Sequence, residues 1–166
     1  MKKDLKIRQQ PNPALCYTLV ALGAALALTV ALYMQHIKGL QPCTMCIIQR
    51  YAFVLLGLFA FLAMIATKHA FRIILVGLGI AAALVGIIAA LRNIWVLGHP
   101  DILCGRDPIE LFLNALPTAQ WFPKIFVALG LCSDPIPPLL GLPLPWWSLI
   151  GLIVLASLLG LSLRRR

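Results

Sequence analysis

Apolar residues gather along this chain in four long runs, and most polar residues fall in the intervals between them and at the two ends. The runs cover residues 14–34, 46–67, 71–91 and 145–163. Each reaches or approaches the roughly 20 apolar residues that carry a helix across the hydrocarbon core of a bilayer. The pattern predicts an all-α membrane protein, a four-transmembrane-helix bundle forming a single integral membrane domain over residues 1–166, with outer loops at 35–45 and 92–144. Four spans place both termini on one side of the membrane.

The longer loop has a pattern of its own. In "DPIELFLNAL", Asp107 is a suitable N-cap, with Pro108 at N1 and Glu110 at N3. Ile109, Leu111, Phe112, Leu113 and Leu116 follow, which predicts a short interfacial helix lying on the membrane surface. The apolar residues here suit packing onto the bundle and partner binding about equally. "WFPKIFVALGLC" and the Pro-rich "SDPIPPLLGLPLP" read as irregular chain returning to the fourth span. Small residues such as Gly77, Gly79, Gly86, Gly151 and Gly160 are expected to let helices approach closely.

Composition excludes an ordinary water-soluble domain. Hydrophobic residues make up 61% of the chain and charged residues 11%, against about 25% charged in soluble domains. The net charge of +9 reports topology. Lys2, Lys3, Lys6 and Arg8 precede the first run, Lys68 and Arg72 flank the turn between the second and third, and Arg164, Arg165 and Arg166 end the chain. All lie on the side of the termini, which basic flanks mark as cytoplasmic. Asp101, Asp107, Glu110 and Asp134 fall in the opposite loops. No nucleic-acid surface is needed to explain the charge. The first run of 21 residues also exceeds a typical signal-peptide core, so it is expected to stay as an uncleaved span.

This orientation gives the cysteines a setting. Cys43 and Cys46 open the second span in "PCTMCIIQR", while Cys104 and Cys132 lie in the loop at 92–144, so all four face the non-cytoplasmic side. Cys16, near the inner end of the first span, is left over as a buried free thiol. Thiols outside the bacterial cytoplasm are kept oxidised, which suggests two disulfides. Structural staples remain one reading, but a Cys-x-x-Cys ring is too small to stabilise much by loop closure and suits thiol exchange. A four-thiolate zinc site fits the first pair but not the wide separation of the second, so no metal is assigned.

Cys46 is expected at the N-terminal end of a helix, where free amides and the dipole stabilise a thiolate. Arg50, four residues on, shares its face. Snorkelling accounts for an interfacial arginine taken alone. Beside a reactive thiol, it suits a lipid-soluble two-electron acceptor such as a quinone, whose anionic forms a fixed cation stabilises.

These residues resemble the DsbB family of membrane disulfide-generating proteins over nearly the whole chain. The matches are "PCTMCIIQR", "WFPKIFVALGLC" before the last cysteine, and "GLPLPWW" entering the fourth span. The resemblance implies a protein-disulfide oxidoreductase of the bacterial inner membrane. It would reoxidise a periplasmic thioredoxin-fold oxidant, DsbA, and reduce ubiquinone or menaquinone. It also implies roles: Cys104 is attacked by the partner's thiolate, Cys132 is its counterpart, Cys43 exchanges with that outer pair, and Cys46 contacts the quinone with Arg50. Where the family places a quinone-linked histidine near the end of the third span, this chain has "LRNIWVLGH". Arg92 lies close to that position and is the candidate polar contact, while His99 lies too far along. Two other readings stand beside this one: a structural membrane protein braced by disulfides, and a vitamin-K-epoxide-reductase-like enzyme, whose cysteine pairs come in the other order.

Overall fold

The structure, a computed structural model, describes residues 12–99, 108–130 and 141–164. In chain order its helices are α1 (Pro13–Lys38), α2 (Thr44–Ile65), α3 (His69–Leu97), α4 (Pro108–Ala115), α5 (Pro117–Trp121), α6 (Pro123–Phe126) and α7 (Leu144–Leu161). A 3-10 turn at Ser162–Arg164 continues α7. The four long helices, α1, α2, α3 and α7, have the length and apolarity of membrane spans.

Local chemistry sets their ends. The Asn12 side chain accepts from the Ala14 amide at 3.3 Å and Pro13 fills the first turn of α1. Gly39 ends that helix with φ 69°, a conformation glycine adopts without steric cost. Between α2 and α3, Arg72 Nη2 donates to the Ala66 carbonyl at 2.6 Å, tying down the turn. The third apolar run ends at residue 91, but α3 continues through Leu97. The hydropathy pattern breaks at Arg92, whereas the helix ladder does not, because Arg92 is exposed and the buried Asn93 finds partners.

α1 packs against α2 and α7, and α3 packs against the same two helices, so the ring closes in the order α1, α2, α3, α7. Tyr17 and Val20 of α1, Phe53 and Leu56 of α2, Val76 of α3 and Leu152 of α7 meet in its core. Small residues permit this closeness. A Cβ on Gly86 would come within 2.5 Å of the Ala52 Cβ and 2.8 Å of Leu152, and one on Gly79 within 2.8 Å of Leu159. Gly77 faces open space, and Gly151 and Gly160 make only ordinary contacts, so the expected role of small residues holds for two of the five named. Large apolar side chains such as Leu22, Leu26, Leu84, Ile88 and Ile153 point outward. Such a surface requires lipid as its solvent: this is a multi-pass membrane protein.

Residues 108–130, between α3 and α7, cap one end of the bundle. Three short helices stand where a single one was expected; α5 and α6 each begin at a proline. Asp107, the expected cap of α4, lies outside the described residues. Leu113 and Ala128 pack on Ile47 of α2. Tyr51 stacks on Phe126 with ring centroids 4.6 Å apart, and its hydroxyl meets Thr118 Oγ1 at 2.5 Å. Asn114 bonds both the amide and the carbonyl of Ala128, at 2.9 and 3.2 Å. The head of α2 is thereby enclosed.

Candidate active site

α2 begins at Thr44, two residues before the apolar run, and Cys43 is its N-cap with extended backbone, φ −79° and ψ 168°. This geometry turns the Cys43 sulfur back to accept the Cys46 amide at 3.3 Å, satisfying one of the free N–H groups of the first turn. The two sulfurs lie 2.7 Å apart, near the roughly 2.05 Å of a disulfide. Cys43 is buried and Cys46 partly exposed.

Two other parts of the chain meet this pair. From α3, Asn93 is 1% exposed, and its Nδ2 lies 3.7 Å from Cys43 Sγ and 3.6 Å from Cys46 Sγ. From the capping segment, Leu129 and Gly130 both donate to the Pro42 carbonyl, at 3.1 and 3.0 Å, and Gly130 forms a parallel bridge with Cys43. A Cβ on Gly130 would collide with the Gln41 carbonyl, so only glycine fits this approach. Gly130 stands two positions before Cys132 in the sequence.

One turn deeper, Arg50 is almost fully buried. Its Nη1 donates to Gln35 Oε1 at 2.7 Å and to the Ile125 carbonyl at 2.5 Å, so α1, α2 and α6 converge on one guanidinium. The neighbouring Gln49 is also buried. Its Oε1 accepts from the Ser148 hydroxyl of α7, while its Nε2 is buried with no hydrogen-bond partner.

Cys46, Gln49 and Arg50 line a cavity of about 440 Å³ between α1, α2 and α7. Its remaining wall is mainly apolar, with Leu26, Met34, Phe53 and Trp147 among its residues. The polar groups collect at the cysteine end, so the cavity matches a ligand with a polar head and an apolar body.

The structure brings Cys43, Cys46 and Arg50 together. Cys104 and Cys132 lie outside the described residues. Arg92 is exposed and is not part of the cavity wall; His99 is exposed too, with Nδ1 3.0 Å from the Trp95 carbonyl. Cys16 is buried near the far end of the bundle. Sequence reasoning missed Asn93, Gln49 and Ser148. An amide within the apolar end of a span was the available signal, since such a group needs a partner in a membrane.

Comparison with known proteins agrees with this geometry. A family model described as "Disulfide bond formation protein DsbB" matches residues 13–162. Proteins named Disulfide bond formation protein B are similar over most of their length. The one from Ralstonia nicotianae is 45% identical over 157 residues, covering 95% of this chain and 98% of its own. That from Cupriavidus necator is 43% identical, covering 95% and 96%. With a Cys-x-x-Cys pair capping a membrane helix and a family match spanning all four long helices, the chain belongs to the DsbB family of disulfide bond formation proteins and is a membrane thiol oxidoreductase.

Proposed function

We propose that the protein oxidises a DsbA-like periplasmic dithiol oxidant and passes the electrons through two cysteine pairs to a membrane quinone, ubiquinone or menaquinone. The observation that carries the reading is the cavity in which Cys46, Arg50 and the unpartnered Gln49 Nε2 meet an apolar wall. A quinone fits this donor set. Its ring and tail suit the apolar surface, and Gln49 Nε2 has hydrogens to offer a carbonyl oxygen. When bound, a quinone supplies a two-electron, two-proton acceptor, becoming hydroquinone as a dithiol becomes a disulfide.

The chain's own residues supply the rest. Cys104 takes the partner's thiolate in a mixed disulfide, releasing Cys132 as a thiolate. Cys132 then attacks Cys43, and Cys46 leaves as a thiolate facing the cavity. The partner's second thiol releases Cys104 as the partner becomes a disulfide. Cys104 attacks Cys132, re-forming the outer disulfide and freeing Cys43, so that the Cys43–Cys46 pair now holds the two electrons. Gly130 supports this order, because it bonds the Pro42 carbonyl beside Cys43 and precedes Cys132 by two positions in the sequence. Arg50 holds negative charge at the cavity head, and its bonds to Gln35 and Ile125 keep it from snorkelling away. Arg92, one residue before Asn93 but outside the cavity wall, is the candidate for a further polar contact with the quinone; wild-type quinone affinity in Arg92→Ala would remove it. The partner is itself strongly oxidising, at about −120 mV, so the quinone must supply the driving force. Basic residues beside the termini support cytoplasmic ends and periplasmic cysteines in the inner membrane.

The test mixes purified protein with a reduced thioredoxin-fold oxidant and a soluble ubiquinone analogue. Quinone absorbance should fall with wild type and persist with Cys46→Ser and with Cys104→Ser. Turnover that survives either substitution would overturn the relay.

A further inference from the structure

We propose that Asn93 is a catalytic residue of the Cys43–Cys46 pair, its carboxamide holding negative charge on whichever of the two sulfurs is the thiolate. The inference rests on the redox reading above and extends it to a residue on a different helix. Asn93 Nδ2 carries two hydrogens and lies 3.7 Å from one sulfur and 3.6 Å from the other, so a single amide serves both sulfurs. At 1% exposure it has no access to solvent in place of them.

The chemistry explains why a neutral donor suits this position. In the opening step the incoming thiolate bonds to Cys43 Sγ, the Cys43–Cys46 bond breaks, and its electron pair departs on Cys46 Sγ. No proton moves. Asn93 Nδ2 is within reach both of the sulfur that gains the charge and of the one that carries it when the exchange runs from Cys43. Arg50, the cation of the site, has its Nη1 engaged by Gln35 and Ile125. The Asn93 amide adds to that charge a neutral donor within 3.7 Å of both sulfurs.

The test reads the inner pair by itself in full-length, quinone-free protein. A Cys16→Ala, Cys104→Ser, Cys132→Ser background leaves only Cys43 and Cys46, which are equilibrated in thiol–disulfide buffers and counted by alkylation and mass. A hydrogen bond to a charged group contributes enough for Asn93→Leu to disfavour the reduced pair about tenfold, a fall of about 30 mV in potential. Asn93→Asp keeps the shape but repels a thiolate, and should shift the equilibrium at least as far. Asn93→Ser, with one donor, should fall between wild type and Leu. Equilibrium constants within twofold of wild type for Asp and Ser would overturn the inference, and these two variants decide it should Leu not fold. Quinone reduction by the Asn93 parent, assayed separately, tells failure of this inference from failure of the redox reading.

Discussion

Arg50 Nη1 donates to the Ile125 carbonyl at 2.5 Å, joining α2 to the segment that caps the bundle. The same nitrogen reaches Gln35 of α1 at 2.7 Å. One cation therefore closes the cavity head and anchors the backbone that leads toward Gly130. Arg50→Met should raise the KM for quinone about 10- to 100-fold, the range expected from losing hydrogen bonds to a charged group. Arg50→Lys should lie between, since an ammonium keeps the charge but not the fork. Limited proteolysis of the Met variant should also cut faster within residues 117–130. Unchanged KM with unchanged proteolysis would remove Arg50 from both roles.

Gln49 gives the opposite balance between stability and function. Its unpartnered Nε2 carries a desolvation cost, and Ser148 retains the Pro145 carbonyl at 3.1 Å if Gln49 is removed. Gln49→Leu should therefore raise the thermal midpoint while weakening quinone binding about two- to tenfold. Binding as tight as wild type would show that the amide faces no ligand.

Gly130→Ala separates the two cysteine pairs in function. A methyl group there meets the Gln41 carbonyl and must push the chain away from Cys43. Turnover driven by the soluble partner should fall about tenfold or more, the scale of a small misplacement of reacting groups. Quinone reduction by a chemically reduced Cys43–Cys46 pair should stay at the wild-type rate. Equal loss in both assays would mean that the substitution damages the pair itself.

Packing of the bundle can be checked at Gly86, where α3 meets α2 and α7. Gly86→Val should cost about 1–3 kcal/mol, the usual penalty of overpacking, and lower the thermal midpoint in detergent. Gly77→Val, into open space, should leave the midpoint near wild type.

The four spans and the neighbourhood of Cys46 and Arg50 were legible because each depends on spacing within one helix. Run length reports bilayer thickness, and an i to i+4 interval reports a shared face. Asn93 and Ser148 were not legible, because their meeting with Cys46 and Gln49 depends on how α3 and α7 sit against α2, and no local pattern records that register. The extra turns of α3 were hidden for a related reason. Hydropathy falls at Arg92 and Asn93, yet a polar residue can stay in a helix when it reaches the surface or finds a buried partner. α6 lies in a stretch that reads as irregular chain and α5 in the short interval before it, and each begins at a proline, which suggests a break in sequence yet is at home in the first turn of a helix.

The central claim is that the Cys43–Cys46 pair alone reduces a quinone held beside it. It is tested most directly with Cys104→Ser, Cys132→Ser protein, reduced, freed of reductant and mixed with a ubiquinone analogue without oxygen. Counting hydroquinone formed against thiols lost should give one hydroquinone for every two thiols, with the new disulfide mapped to Cys43 and Cys46. Full retention of both thiols and no hydroquinone, in protein that remains folded, would contradict the account.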